Sequence, residues 1–192
     1  MIAHVPVKHI TVEEYLSNPD YEHCEYVDGE VVELNLGTIT HSTIQGRYSL
    51  YIGMHLLTLG RGEVAPELRC RLVVNGKTRF RQPDLSVLFS HEKSENDYLE
   101  GAPEFVIEVR SPDDTIRELT RKIDEYFANG CKLAWLILPE EQTVEVFTPA
   151  APTKAFGPGD KINGGDVIPN LKIAVADLFA PAKRPRSKKA PI

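Results

Sequence analysis

Segments with strand periodicity and segments with helical periodicity alternate along this chain as far as residue 179. Apolar residues recur at helical spacing over 41–59 and 116–127, whereas 104–110 and 133–138 are short apolar runs of strand length. Strands and helices mixed in this way around one core predict an α/β or α+β domain. We expect a central mixed β-sheet flanked by helices.

Local signals mark the boundaries of several other elements. Thr11 is the expected N-cap of a short helix over 9–18. Asp28-Gly29 and Asn75-Gly76 are dipeptides typical of tight hairpin turns, and each lies between two strand-like runs. Residues 149–170 are rich in Pro and Gly and are expected to hold one short hairpin.

Charge is divided unevenly along the chain. There are 28 Asp and Glu against 22 Lys and Arg, and five of these cations lie in the last twelve residues. Without those five, 17 basic residues face 28 acidic ones, a net charge of −11. So acidic a body argues against an extended DNA-coating surface but leaves room for a local carboxylate site. We predict one domain over 1–180 and a disordered basic tail over 181–192, for which a plain solvated terminus is the alternative.

Composition also argues against several classes of protein. Cys24, Cys70 and Cys131 form no CxxC pair, which disfavours a disulfide scaffold and a zinc ribbon. The first residues lack the basic and long apolar regions of a secretory signal. No run approaches the roughly 18 apolar residues of a membrane span. We therefore expect a cytoplasmic protein that does not bind membranes.

Two carboxylates occur in strand-like segments that are otherwise largely apolar. Asp84 opens the strand 84–89, and Glu108 lies between two valines in 104–110. Burying a carboxylate is costly unless a cation or a metal ion meets it. If these strands are neighbours in the sheet, Asp84 and Glu108 point into one cleft. Two carboxylates, waters and a phosphate oxygen would there form a hard oxygen shell suited to Mg²⁺ or Mn²⁺.

Lys122 lies on the next helix, about 90° from the centre of its apolar stripe at 100° per residue. From that position its ammonium can reach the strand on which the helix packs. Simpler explanations exist for each residue. Asp84 could be a turn residue, Glu108 and Arg110 an ion pair on one strand face, and Lys122 a lysine whose stem covers apolar surface. The conjunction of carboxylate, carboxylate and lysine favours a shared site.

Five segments in order resemble the Uma family of putative restriction endonucleases, which belongs to the PD-(D/E)XK nuclease superfamily. They are YEHCEYVDGEVVEL, RQPDLSVLF, APEFVIEVRSPDDT, RKIDEYFANGCKLAWLILPEEQTVEVFTP and IPNLKIAVADLF. The resemblance extends over residues 9–180, nearly the whole predicted domain. It implies a restriction-endonuclease-like core and a magnesium-dependent endonuclease that hydrolyses phosphodiester bonds.

The resemblance also assigns roles to individual residues. Asp84 matches the motif's Asp and Glu108 its second acid, both expected as ligands of Mg²⁺ or Mn²⁺. The motif lysine falls at Arg110, which can stabilise phosphate charge but is a poor base because it is permanently protonated. In such families the lysine role can move to the following helix, where Lys122 is the matching candidate.

Three further residues are lesser candidates for the same site. Glu30 and Glu67 are expected as outer-shell acids, and His41 could approach the site from the start of the long helix. For His41, a capping or surface role explains the sequence equally well.

Three functions therefore compete. The first is an endonuclease acting on nucleic acid, with DNA as the expected substrate and a homodimer expected because two strands are cut. The second is a catalytically weak or inactive nuclease-fold interaction domain, favoured by Arg110 in place of the motif lysine and by the acidic body. The third is a homodimeric scaffold whose carboxylates form structural ion pairs. Joint binding of a divalent ion by Asp84 and Glu108 would separate the first from the others.

Overall fold

A computed structural model describes residues 9–34, 37–89 and 98–180 of the 192-residue chain. The helices within these residues are α1 (Val12–Ser17), α2 (Ile39–Leu59), α3 (Ile116–Ala128) and α4 (Val175–Phe179), with a short 3-10 helix at Pro19–Tyr21. The strands are β1 (Cys24–Val27), β2 (Glu30–Glu33), β3 (Glu63–Pro66), β4 (Cys70–Val74), β5 (Lys77–Arg81), β6 (Leu85–Leu88), β7 (Leu99–Glu100), β8 (Phe105–Val109), β9 (Leu133–Leu138), β10 (Thr143–Thr148), β11 (Ala151–Phe156), β12 (Lys161–Gly164) and β13 (Ile168–Ala174).

The strands form two larger sheets and one hairpin. The six-stranded sheet has the order β11-β10-β9-β8-β6-β3, and the five-stranded sheet has the order β2-β1-β5-β4-β7. Strands β8 and β9 are parallel and are joined by α3, whereas β6 and β8 are antiparallel with Leu85 opposite Ile107. The predicted mixed sheet flanked by helices is therefore confirmed.

Helices cover both faces of the six-stranded sheet. On one face, Ile44, Tyr48 and Ile52 of α2 pack against a cluster that includes Leu85 and Ile107. On the other face, the apolar stripe of α3 packs against alternate residues of β8 and β9, including Val106, Ala134 and Leu136. Because side chains alternate along a strand, Glu108 falls on the same face of β8 as Val106, which is the face toward α3.

The local signals are largely confirmed. Thr11 caps α1 by accepting a hydrogen bond from the Glu14 backbone N–H at 3.1 Å. Asp28, Gly29, Asn75 and Gly76 all have positive φ, as tight hairpin turns of this type require.

Two boundaries differ from expectation. Residues 149–170 do not form one hairpin, because β11 pairs back onto β10 whereas β12 pairs forward onto β13. The long helix α2 begins at Ile39, two residues before His41, because the Thr38 hydroxyl accepts from the His41 N–H and caps it.

Two further predictions concern the tail and membrane spans. The basic tail predicted over 181–192 lies outside the described residues. None of the helices among the described residues is both long and apolar enough to cross a membrane.

Candidate active site

A cleft of about 730 Å³ opens between the two larger sheets, bordered by α2 and α3. Its lining includes the acids Glu25, Glu30, Glu33, Glu67, Asp84, Glu108, Asp113, Asp114 and Glu118, against the cations Arg81, Arg121 and Lys122. The cleft is therefore strongly acidic, and a phosphodiester would be repelled from it unless a cation neutralised part of this charge.

Asp84 is held at the mouth of β6 by contacts from three directions. Its Oδ2 accepts a hydrogen bond of 2.6 Å from the backbone N–H of Val109, at the end of β8. His41 Nε2 lies 3.2 Å from Asp84 Oδ1, and the Gln45 side chain donates to the Asp84 backbone carbonyl at 2.7 Å. Because β6 pairs with β8, the carboxylate is fixed beside the strand end that carries Glu108.

Glu108 is buried and is met by two donors from α3. Lys122 Nζ lies 3.2 Å from both carboxylate oxygens, and the Tyr126 hydroxyl donates to Oε1 at 2.8 Å. Lys122 and Tyr126 are four residues apart on one side of α3, so a single helix supplies both contacts. Lys122 therefore extends from the edge of the apolar stripe of α3 to strand β8, as its position on the helix predicted.

Glu25 joins this group from the other sheet. Lys122 Nζ lies 3.0 Å from Glu25 Oε1, and that carboxylate also accepts from Arg81 at 2.7 Å and from the Gln82 backbone N–H at 3.1 Å. Arg81 is in turn bound to Glu125 of α3 at 2.7 Å. The result is a connected set of charge-assisted hydrogen bonds that links β1, β5 and α3 to the cleft.

The electrostatics of the cleft follow from burial and from these charges. Burial, together with the nearby carboxylates of Asp84 and Glu25, raises the pKa of Glu108 to about 7 although the charge of Lys122 opposes this rise. For Glu25, burial acts upward but the charges of Lys122 and Arg81 prevail, so its pKa is lowered. The hydrogen bond with Asp84 raises the pKa of His41 although partial burial opposes it.

The side chain of Arg110 lies outside the main cleft. Its guanidinium donates to Glu141 at 3.1 Å and to the Asp114 backbone carbonyl at 3.3 Å. It lines a smaller neighbouring pocket with Pro112 and Pro139 and is absent from the lining of the main cleft. Arg110 thus pairs with Glu141 outside the main cleft rather than with Glu108, so it does not join Asp84, Glu108 and Lys122.

The lesser candidates are distributed around the same cleft. His41 reaches Asp84, as described above. Glu30 and Glu67 both line the cleft at its rim, and the Glu30 side chain is 45% exposed. They thus border the cleft without joining the hydrogen-bonded group of Glu25, Glu108 and Lys122.

Sequence reasoning missed the residues that hold Lys122 in place. Glu25, Arg81 and Gln82 were not singled out, although each lies in a segment that resembles the Uma family. One signal was available for Glu25, an acid between Cys24 and Tyr26 in a predicted strand. Its partner could not be found in this way, because Glu25 and Lys122 belong to elements 97 positions apart.

The donor set suits a hard divalent cation. Asp84 and Glu108 offer carboxylate oxygens, which Mg²⁺ and Mn²⁺ prefer, and no thiolate lines the cleft. Among the described residues, no group of three or more His, Cys, Asp and Glu side chains is arranged to hold a metal ion. Mg²⁺ is usually held by one or two carboxylates together with waters and substrate phosphates, so a two-carboxylate site fits this ion.

A mixed sheet with helices on both faces agrees with the restriction-endonuclease-like core that the family resemblance implied. The Uma2 family model, described as "Putative restriction endonuclease", matches residues 12–176. The chain belongs to this family, and the resemblance inferred from the sequence is confirmed.

A solved structure has the same fold. It is described as a putative nuclease belonging to DUF820 from Anabaena variabilis, and it shares 29% sequence identity with this chain at a TM-score of 0.76. The alignment covers 88% of this chain and 97% of that one. No curated protein matches the chain.

Proposed function

We propose that the chain is a metal-dependent endonuclease that hydrolyses phosphodiester bonds in nucleic acid, with DNA as the substrate. Membership of the Uma2 family supports the nuclease class. The observation that carries the proposal is the meeting of Asp84, Glu108 and Lys122 in one cleft, with Lys122 Nζ 3.2 Å from the Glu108 carboxylate.

Asp84 and Glu108 are the residues that would hold Mg²⁺ or Mn²⁺. Such an ion, when bound, polarises a phosphate and lowers the pKa of a coordinated water. The acidity of the cleft is consistent with this requirement, since the substrate's phosphates need a neutralising cation there.

The chain's own residues would position the reactants around that ion. Lys122 carries a largely buried, charged ammonium at the cleft, which can donate to the attacking water or to a phosphate oxygen. Its pKa is raised, because the Glu108 and Glu25 carboxylates outweigh the effect of burial, so it acts as a charged donor. His41 and the Val109 N–H fix the orientation of Asp84 through its two oxygens.

The test is cleavage of supercoiled plasmid and of labelled single- and double-stranded DNA and RNA, with Mg²⁺, Mn²⁺ or EDTA. We expect metal-dependent DNA cleavage that Asp84→Asn, Glu108→Gln and Lys122→Gln each reduce by roughly a hundredfold or more. Asp124→Asn, an exposed carboxylate of α3 outside the cleft lining, serves as the matched control.

The possible results separate the alternatives. Equal cleavage by the wild type and all three cleft variants would mean a contaminating nuclease and would overturn the proposal. No cleavage of any substrate by well-folded wild type would instead favour the nuclease-fold interaction domain. Cleavage of RNA alone would retain the nuclease but contradict its DNA substrate.

A further inference from the structure

A second cavity of about 230 Å³, here called the side pocket, adjoins the cleft. It is bordered by the start of α2, the loop from β8 to α3, and the turn between β9 and β10. His41 and Ser111 line both the side pocket and the cleft. Because His41 also lies 3.2 Å from Asp84, the side pocket begins one side chain away from the proposed metal site.

The size of the side pocket suits one small, flat ring system. A cavity of about 150 Å³ is enough to hold benzene, whereas pockets for drug-sized ligands begin at about 300 Å³. The volume of 230 Å³ falls between these values, as two fused rings require. Pro112 and Pro139 add apolar surface to the lining, and apolar side chains are what an unstacked base packs against in enzymes that act on nucleic acid.

The charge of the lining disfavours a phosphate as the occupant. Arg110 is opposed there by Glu140 and Glu141, so the carboxylates outnumber the guanidinium. Any charge on His41 is already met by Asp84. A neutral group that carries both hydrogen-bond donors and acceptors meets no such repulsion.

Arg110 and Glu141 form an exposed pair at the side pocket, with Nη1 3.1 Å from Oε1. Their side chains are 26% and 46% exposed, and an ion pair this accessible to water is weak, so a ligand can compete for both members. The guanidinium donates through Nε to the Asp114 carbonyl and through Nη1 to Glu141, and Nη2 donates to none of the described residues. The pair thus presents free donors next to carboxylate acceptors.

We propose that the side pocket binds an unstacked guanine base of the substrate, beside the phosphate that is cut. Along one side, guanine presents two acceptors, N7 and O6, followed by the donors at N1 and N2. Arg110 donates to the two acceptors, which is the commonest specific contact of arginine with DNA. Glu141 accepts from the two donors.

The other bases match this lining less well. Adenine carries an amino donor where guanine carries O6, so it would meet Arg110 with a donor. Thymine offers a single donor to the carboxylate. Cytosine offers a donor to Glu141 and acceptors to Arg110, but its single ring is small for a pocket of 230 Å³.

The inference rests on the proposed nuclease and names the base that its substrate presents. A base enters such a pocket only after leaving the helical stack, which costs least in single-stranded or distorted DNA. We therefore expect cleavage of single strands with guanine at one fixed position beside the cut. Because the side pocket holds the base away from the reacting atoms, loss of its contacts should raise KM.

The first test measures binding without cleavage. Saturation-transfer NMR in EDTA compares deoxyguanosine, deoxyadenosine, deoxycytidine and thymidine, which carry no phosphate. We expect the strongest signal from deoxyguanosine, reduced at least threefold in Arg110→Met and in Glu141→Ala. Arg117→Met is the matched control, because Arg117 is an exposed arginine of α3 that lines neither cavity.

The second test assigns each contact to an atom of the base. Sequencing the ends cut from a random single-stranded library locates the guanine position, which is then replaced by 7-deazaguanine, lacking the N7 acceptor, or by hypoxanthine, lacking the N2 amino group. We expect each analogue to raise the wild-type KM about tenfold. 7-Deazaguanine should have no further effect in Arg110→Met, and hypoxanthine none in Glu141→Ala. Misfolded variants would not produce this crossed pattern.

The results separate failure of the side pocket from failure of the nuclease. Equal signals from the four nucleosides, or a deoxyguanosine preference that survives in both variants, would overturn the side pocket and leave the nuclease intact. Analogue effects that are the same in both variants would also overturn it. If the wild type cuts no nucleic acid, the proposed function fails, while selective deoxyguanosine binding that both variants lose would still support the side pocket.

Discussion

Lys122 Nζ lies 3.0 Å from Glu25 Oε1 and 3.2 Å from Glu108 Oε1, so one ammonium joins carboxylates from two different sheets. Glu25 belongs to β1 of the five-stranded sheet, and Glu108 belongs to β8 of the six-stranded sheet. In the proposed enzyme Glu108 would be committed to the metal ion. Glu25 would then remain as the counter-ion that keeps Lys122 charged and in place.

Glu25→Gln should therefore lower kcat while changing KM little. Residues that orient a site's contacting groups typically contribute 10- to 100-fold to activity, and we expect a loss of about that size. Steady-state cleavage kinetics on the nucleic acid that the wild type cuts would measure it. Glu25→Asp, which keeps the charge, should recover part of the rate.

Asp28→Asn is the matched control for that prediction. Asp28 belongs to the same ion-pair network through Arg79, which binds both Asp28 and Glu125, but Asp28 does not line the cleft. A purely structural network would make both substitutions equally harmful to kcat. If Glu25→Gln and Asp28→Asn lower kcat equally, and both have the circular dichroism spectrum of the wild type, a positioning role for Glu25 is contradicted.

Loss of charge at Lys122 should lower kcat strongly, whereas loss of charge at Arg110 should not change kcat. Lys122→Gln removes the largely buried ammonium between two carboxylates and should abolish most cleavage. Arg110→Gln removes a half-exposed partner of Glu141 outside the cleft and should leave kcat unchanged. A large loss of kcat in Arg110→Gln would return Arg110 to the role that the motif position suggested.

Thr115→Ala should destabilise the protein by about 1 kcal/mol, because it removes the capping box of α3. The Thr115 hydroxyl accepts from the Glu118 N–H at 3.2 Å, and the Glu118 carboxylate accepts from the Thr115 N–H at 3.3 Å. Urea unfolding measures the change in free energy. Thr115→Ser keeps the hydroxyl and should lose much less. Equal losses in the two variants would show that the cap contributes little.

The Asp28–Arg79 pair should contribute stability that disappears in acid. The hydrogen bonds from Arg79 lower the pKa of Asp28 in the folded protein. A carboxyl whose folded pKa is depressed stabilises the fold fully above its unfolded value, near 3.9, and the contribution is lost as pH falls through the folded pKa. Wild type should thus exceed Asp28→Asn in unfolding free energy at neutral pH, with the gap closing in acid. A gap independent of pH would contradict this assignment.

Much of the fold was predictable because its signals are local. Alternation in 104–110 predicted that Glu108 and Ile107 lie on opposite faces of one strand. Helical spacing predicted that Lys122 lies at the edge of a buried stripe. The hairpin dipeptides required positive φ, which short-range sequence determines. We expected Asp84 and Glu108 to meet if their strands were neighbours, and the pairing of β6 with β8 brings Asp84 to the end of β8.

The parts that were not predictable depend on long-range pairing. The split of 149–170 between two hairpins follows from which strand edge each segment joins, and strand propensity does not specify this. Glu25 reaches Lys122 only because β1 lies beside β5 in a second sheet. Arg110 binds Glu141, which is 31 positions away and follows β9, and alternation along β8 cannot predict this contact.

Isothermal titration of Mn²⁺ and Mg²⁺ into the wild type, Asp84→Asn and Glu108→Gln tests the central claim most directly. It is run with and without a non-cleavable oligonucleotide, because some two-carboxylate sites bind their ion only together with a phosphate. We expect binding by the wild type that both substitutions abolish, while Asp124→Asn binds normally. Binding that survives in both cleft variants, or no binding by the wild type under either condition, would contradict a metal site formed by Asp84 and Glu108.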